Sequence, residues 1–251
     1  GGGTDYTGRV VAELLKEELG QPVNVVNRTG AIGLVGHTAI VEAEPDGYTL
    51  GVVTFEIGTY KWLGTSKITP ADLTPIALYN FDASGVNVPA DSPFKSLKEA
   101  VEAFKNSPAG TFSVGAPPGG NSHAALAGVL LAAGVDTSKI NWVPVKGGAQ
   151  AMKELAAGGL TMTATSLPES KPMRDAGRVR ALAVLSDQRY EKFPDVPTAK
   201  EVLGVNWTGG TWRGIGGPKG IPESIANKLA DAMDKVFHSE KFQDMMAKRG
   251  F

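Results

Sequence analysis

Apolar positions near the start of the chain recur at helical spacing. Val10, Val11, Leu14 and Leu15 share one face of the segment from Asp5 to Leu19, and Glu17 and Glu18 lie outside it. Gly20 stands where a left-handed C-terminal cap is expected. The pattern then shortens to the alternation "PVNVVN" (22–27), which predicts a strand. "GAIGLVGHTAIVEAE" (30–44) predicts a loop feeding a second helix, and "PDGYTLGVVT" (45–54) predicts a turn and a buried strand. This rhythm of strand, helix and strand predicts a parallel sheet with helices on its faces.

The same rhythm restarts downstream. "SLKEAVEAFK" (96–105), "SHAALAGVLLAAG" (122–134) and "AQAMKELAAG" (149–158) read as helices. "GTFSVGAP" (110–117), "INWVPVK" (140–146), "GLTMTATS" (159–166) and "VRALAVLS" (179–186) read as strands of a second sheet. A last helix, "IPESIANKLADAMDKVF" (221–237), has Pro222 in its first turn and Ile225, Leu229, Met233 and Val236 on one stripe. The chain therefore reads as two α/β lobes crossed twice by the backbone, with a cleft between them where a small ligand would sit.

Composition narrows the chemistry. The 25 basic and 26 acidic residues nearly cancel, and no Lys/Arg-rich run occurs, which argues against a nucleic-acid partner. No apolar stretch approaches the roughly 18 residues of a membrane span. The chain also shows no signal peptide, which a trimmed chain would have lost. Cysteine is absent, so disulfides, thiol catalysis and cysteine metal sites are excluded.

Two glycine-rich turns stand out. "GGGTD" (1–5) leads straight into the first helix, with Asp5 as the expected N-cap, and it reads as the end of a strand-to-helix turn whose strand precedes this chain. "GAPPGGNSH" (115–123) repeats the design in the second lobe, with Asn121 or Ser122 as cap. Each reads either as a plain capped turn or as a set of backbone amides closing on an anion at a helix N-terminus. Neither is a P-loop or a dinucleotide fingerprint.

His37 and His238 read as ordinary surface or packing residues, whereas His123 lies beside the second glycine loop. Ser122 and His123 are adjacent on a helix and cannot face each other as a catalytic pair. Glu56, after a buried strand, is either a solvated loop residue or a pocket carboxylate. In the second case it favours a ligand with an amine, hydroxyl or protonated end. Arg28 and Lys146 read as solvated or as anion partners. Trp62, Trp142, Trp207 and Trp212 read as core, with the last two also flanking the second crossing.

Taken in order, "GGGTD", "LGQPVNVVNRTGAIGLVG", "PDGYTL", "SVGAPPGGNSH", "KGGAQAMKELAAGG", "GRVRALAVLSDQRYEKFPDVPTAKE" and "GGPKGIPESIANKL" resemble the solute receptors of tripartite tricarboxylate transporters, also called the Bug family. The resemblance runs over nearly the whole chain. It implies a type II periplasmic-binding-protein fold, an α/β fold of two lobes with a ligand cleft between them. Lobe 1 would comprise residues 1–85 and 209–251, and lobe 2 residues 86–208. It also implies closure over one ligand carboxylate, held by backbone amides and water rather than by a dedicated arginine.

Carried over by motif, Gly2, Gly3, Thr4 and Asp5 form the first ligand-binding turn, and Gly119, Gly120, Asn121, Ser122 and His123 the second. Thr54, Phe55, Glu56 and the Thr165–Ser166 strand end line the far side. The family continues at both ends of this chain, and it often carries an acid where Thr161 and Thr163 stand here. The function implied is capture of a small organic acid in the periplasm and delivery to membrane transporter subunits, by a monomer with no cofactor and no metal. An α/β enzyme acting on a carboxylated metabolite and a ligand sensor for a signalling partner are the alternatives.

Overall fold

The computed structural model describes residues 2–251. In chain order its principal elements are α1 (Gly3–Leu19), α2 (Leu34–Val41), β1 (Gly51–Thr54), α3 (Tyr60–Leu63), β2 (Leu73–Pro89), α4 (Leu97–Asn106), β3 (Ser113–Gly115), α5 (Asn121–Ala132) and β4 (Asn141–Val143). There follow α6 (Gly148–Ala156), β5 (Met162–Ser166), α7 (Leu167–Asp175), β6 (Val179–Val184), α8 (Ala199–Leu203), β7 (Gly210–Pro218), α9 (Glu223–His238) and α10 (Glu240–Ala247). The chain divides into two compact units. One is Gly1–Phe81 with Trp212–Arg249 and Phe251, and the other is Asp82–Thr211 with Gly250.

In the first unit the periodic face of α1 is buried: Val10, Val11, Leu14 and Leu15 pack with Ile215 of β7 and with Met233 and Val236 of α9. Fully burying side chains of this size contributes about 1.5–3 kcal/mol each. Gly20 ends α1 in the left-handed region, where it carries no Cβ penalty. Pro222 is the N-cap of α9, one position before its first helical residue.

The sheet of this unit departs from the parallel expectation. β1 pairs antiparallel with β7, Gly51 opposite Gly216 and Thr54 opposite Arg213. The partner of β1 arrives from far along the chain, so no crossover helix imposes a parallel direction. "PVNVVN" also forms no strand. It runs exposed or half-exposed, Val26 most openly, because no strand among the described residues lies beside it to take up its backbone groups.

The second unit is a mixed sheet. The downstream half of β2 pairs antiparallel with β5 and β6, while β3 pairs parallel with β4 and β5. Its core joins Val86 and Val88 of β2 to Leu97, Val101 and Phe104 of α4, Leu126 and Leu130 of α5, and Met162 of β5. Ser96 caps α4 by accepting the Glu99 N–H at 3.2 Å. A close approach fixes Gly128 on α5: the Trp207 indole lies where a Cβ would stand, and its Nε1–H donates to the Ala125 carbonyl at 3.0 Å. The tryptophans are not uniformly core. Trp62 is 84% exposed and Trp207 37%.

Candidate functional site

The first glycine turn opens α1 with Gly2 as N-cap, in an extended conformation and without a side-chain cap bond. Asp5 is thus not the cap but the third helical residue. Its carboxylate accepts from Asn27 Nδ2 at 2.8 Å and from Arg9 Nε at 3.0 Å, and Arg9 also reaches Asn27 Oδ1 at 2.8 Å. The Asn27 amide and then the Arg9 guanidinium hold the Asp5 carboxyl well below the usual carboxylate range.

A residue that the sequence did not single out lies under this turn. Arg213 of β7 is 1% exposed, its Nε donates to Thr4 Oγ1 at 3.1 Å, and its Nη1 donates to Asn80 Oδ1. Its guanidinium also stacks over the Phe251 ring at 5.5 Å. Because Arg213 is the rung partner of Thr54, it joins the first turn of α1 to the end of β1. A charged side chain inside the glycine-rich strand "GGTWRGIGGP" was the available signal, since arginine is almost never fully buried without partners.

At the end of β1, the Thr54 hydroxyl donates to Glu56 Oε2 at 2.6 Å, and Thr54, Phe55 and Glu56 are all half-buried. Behind them His37 is buried, which is the packing and not the surface alternative read from the sequence. Its Nε2 accepts the Thr54 N–H at 3.3 Å, and its Nδ1 lies 2.7 Å from the Tyr60 hydroxyl. A ring nitrogen that accepts must be bare, so the proton sits on Nδ1 and is donated to Tyr60. Tyr60 in turn donates to the Ile32 carbonyl at 3.0 Å. Burial lowers the His37 pKa against the opposing pull of Glu56, and burial followed by Glu56 raises that of Tyr60. The relay is therefore neutral at physiological pH. It ends on Ala31 and Ile32, both left-handed with φ of 44° and 56°, a conformation costing about 1–2 kcal/mol for each non-glycine residue.

In the second unit Gly120, not Asn121 or Ser122, is the N-cap of α5. Gly119 is left-handed at φ 86°, and the Gly120 N–H closes the turn on the Pro117 carbonyl at 2.9 Å. The helix thus starts one residue earlier than expected, so Asn121 is its first residue, and its Nδ2 donates to Thr211 Oγ1 at 2.7 Å. Ser122 and His123 follow in the first helical turn. His123 packs edge-on against Trp142 with centroids 4.5 Å apart, and burial lowers its pKa.

Ser166 ends β5, and its hydroxyl caps α7 by accepting the Glu169 N–H at 3.4 Å. Thr163, where an acid was a family alternative, donates to the Gly115 carbonyl and ties β5 to β3. Arg28 and Lys146 are exposed. No group of three or more His, Asp or Glu side chains among the described residues could hold a metal ion. No helix among them is long and apolar enough to cross a membrane.

The family model for the tripartite tricarboxylate transporter family receptor matches residues 7–251. The chain belongs to this family. The "UPF0065 protein in gbd 5'region" of Cupriavidus necator is 34% identical over 99% of this chain and 75% of that protein. MatC from Rhodopseudomonas palustris, solved with bound malate, is 27% identical with a TM-score of 0.86, covering 100% of this chain and 85% of its own. A second R. palustris protein, solved with adipate, is 27% identical with a TM-score of 0.88, covering 99% and 83%. The fold is accordingly the α/β fold of periplasmic binding proteins, as the resemblance implied. The family is one of receptors rather than enzymes.

Proposed function

We propose that this chain is a periplasmic receptor that binds a small organic acid through a carboxylate and delivers it, as a monomer, to the membrane subunits of a tripartite transporter. The observation that carries this reading is the opening of α1. A 17-residue helix starts on glycines without a side-chain cap, and the buried Arg213 guanidinium is bound to its first turn through Thr4. The positive end of the helix dipole and a fixed cation act together there, and both favour an anion. Malate and adipate in the two R. palustris relatives support a carboxylate as the ligand class.

Gly2, Gly3, Thr4, Thr54 and Glu56 in the first unit and Gly119 to His123 in the second are the residues we assign to the ligand. Hydrogen bonds to an ionised group contribute about 1.5–3 kcal/mol each. A few of them account for micromolar affinity, which corresponds to about 8 kcal/mol. Glu56 would repel a second carboxylate, so a far end bearing a hydroxyl, amine or proton suits the site better.

Thermal shift over a few dozen organic acids tests the class, because a ligand that binds only the folded state raises Tm. A screen in which no acid moves Tm ends the receptor reading. Gly120→Val tests the second turn by calorimetry. Gly120 has φ −79° and ψ 164°, which valine adopts readily, so the fold should persist. Affinity should fall at least a hundredfold, and an unchanged Kd removes that turn from the site.

A further inference from the structure

Gly30, Ala31, Ile32 and Gly33 are four consecutive residues with positive φ, at 139°, 44°, 56° and 84°. Ile32 is β-branched, the side-chain type least tolerant of this region. Such a conformation persists only where its surroundings over-determine it, and it collects at ligand sites. The surroundings here are specific. The Gly33 N–H closes on the Gly30 carbonyl at 3.0 Å, and Tyr60 holds the Ile32 carbonyl while bonded to His37. Gly33 leaves just enough room, since a Cβ there would stand 3.3 Å from the Tyr60 hydroxyl.

His37 then ties the relay to the Thr54 N–H, and the Ala31–Gly33 turn packs against the Phe55–Gly58 turn that carries Glu56. The left-handed turn and the strand end are thus one hydrogen-bonded piece. Ile32 contributes little to the interior in exchange for its strain. It is only half-buried and belongs to no apolar core cluster, whereas glycine at this position would remove the strain outright.

We propose that Ile32 is a specificity-determining residue: the Tyr60–His37 relay holds it left-handed so that its apolar side chain selects which acids fit beside the Thr54–Glu56 strand end. The inference rests on the reading above that this strand end faces the ligand. An apolar group at that edge favours acids with an apolar body over compact, fully polar ones.

Calorimetry with malate, adipate and benzoate on the wild type, Ile32→Gly and Tyr60→Phe tests it. The wild type should bind benzoate, whose apolar body brings no second carboxylate to Glu56, at least tenfold more tightly than malate. Ile32→Gly should lose that preference at least tenfold while its Tm is unchanged or higher, because the strained residue is gone. Tyr60→Phe should lose the same preference with a lower Tm. A purely structural role would move selectivity in neither variant and could not give opposite Tm shifts with one selectivity change. A wild type that discriminates as stated, with both variants keeping its rank order and a Kd within twofold, overturns this inference and leaves the receptor reading standing, as does a wild type that prefers malate. Failure of every acid to bind the wild type overturns both.

Discussion

His37 of α2, whose ring bonds the end of β1 in the first unit, and Thr165, one residue before the end of β5 in the second, are both buried polar side chains, and their hydrogen bonding is opposite. Both ring nitrogens of His37 are engaged, and the chain of bonds runs on through Tyr60 to a backbone carbonyl. Thr165 Oγ1 and its neighbour Asn87 Oδ1 are buried with no hydrogen-bond partner among the described residues. The Asn87 amide nitrogen is nonetheless well placed, donating to the Gly85 and Thr165 carbonyls at 2.8 and 3.1 Å. A closed relay can hold a strained turn, because every member has something to lose. An unpaired oxygen holds nothing, and its desolvation weighs against the fold by about 1–3 kcal/mol.

The largest effect expected from this contrast belongs to His37→Leu. The substitution leaves the Thr54 N–H without its His37 partner, takes from the Tyr60 hydroxyl the bond it accepts while its bond to Ile32 remains, and deletes a buried ring, so chemical denaturation should show a loss of about 2–4 kcal/mol. A loss under about 1 kcal/mol would mean that the relay is not what holds this corner.

Next in size is a pH dependence. A histidine whose pKa is lowered by folding contributes stability that is whole above its unfolded value near 6.5 and drains away as pH falls below it, because the unfolded chain binds the proton more readily. His37 and His123 both act in this direction, and both are lowered chiefly by burial. Carboxylates held low act in a different window. Glu201, drawn down to about 2 by Arg189, and Asp5 lose their contributions only at more acid pH. Stability should therefore fall between pH 7 and pH 5, and less steeply in His37→Leu than in the wild type. Parallel profiles for the two proteins would remove His37 from the effect.

The amphipathic helices were legible because a stripe such as Leu229, Met233 and Val236 needs only local spacing to declare a buried face, and the structure buries all three. The glycine turns were legible for a related reason, since a helix start must be capped by something. β2 was not legible. Its 17 residues mix polar and apolar positions without a clean alternation, because the covering on its faces changes along its length. The relay and the partners of Arg213 were invisible for a third reason. His37 finds Thr54 and Tyr60 only once the chain has turned back, and Arg213 reaches a threonine 209 positions away. Capping and amphipathicity are local properties, whereas satisfaction of a buried polar group is a property of the finished fold.

The smallest effect is the sharpest test of the contrast. Thr165→Val replaces a hydroxyl by a methyl of nearly the same volume, keeps the Cγ2 that lies beside Gly148, and leaves the backbone carbonyl free to accept from Asn87 as before. No group loses a bond, and one buried oxygen that had none is gone. Stability should change by less than about 0.5 kcal/mol, or rise, which is the reverse of what removing a paired hydroxyl does. A loss above about 1 kcal/mol would show that the Thr165 hydroxyl is paired in solution, and the two strand ends would then be alike.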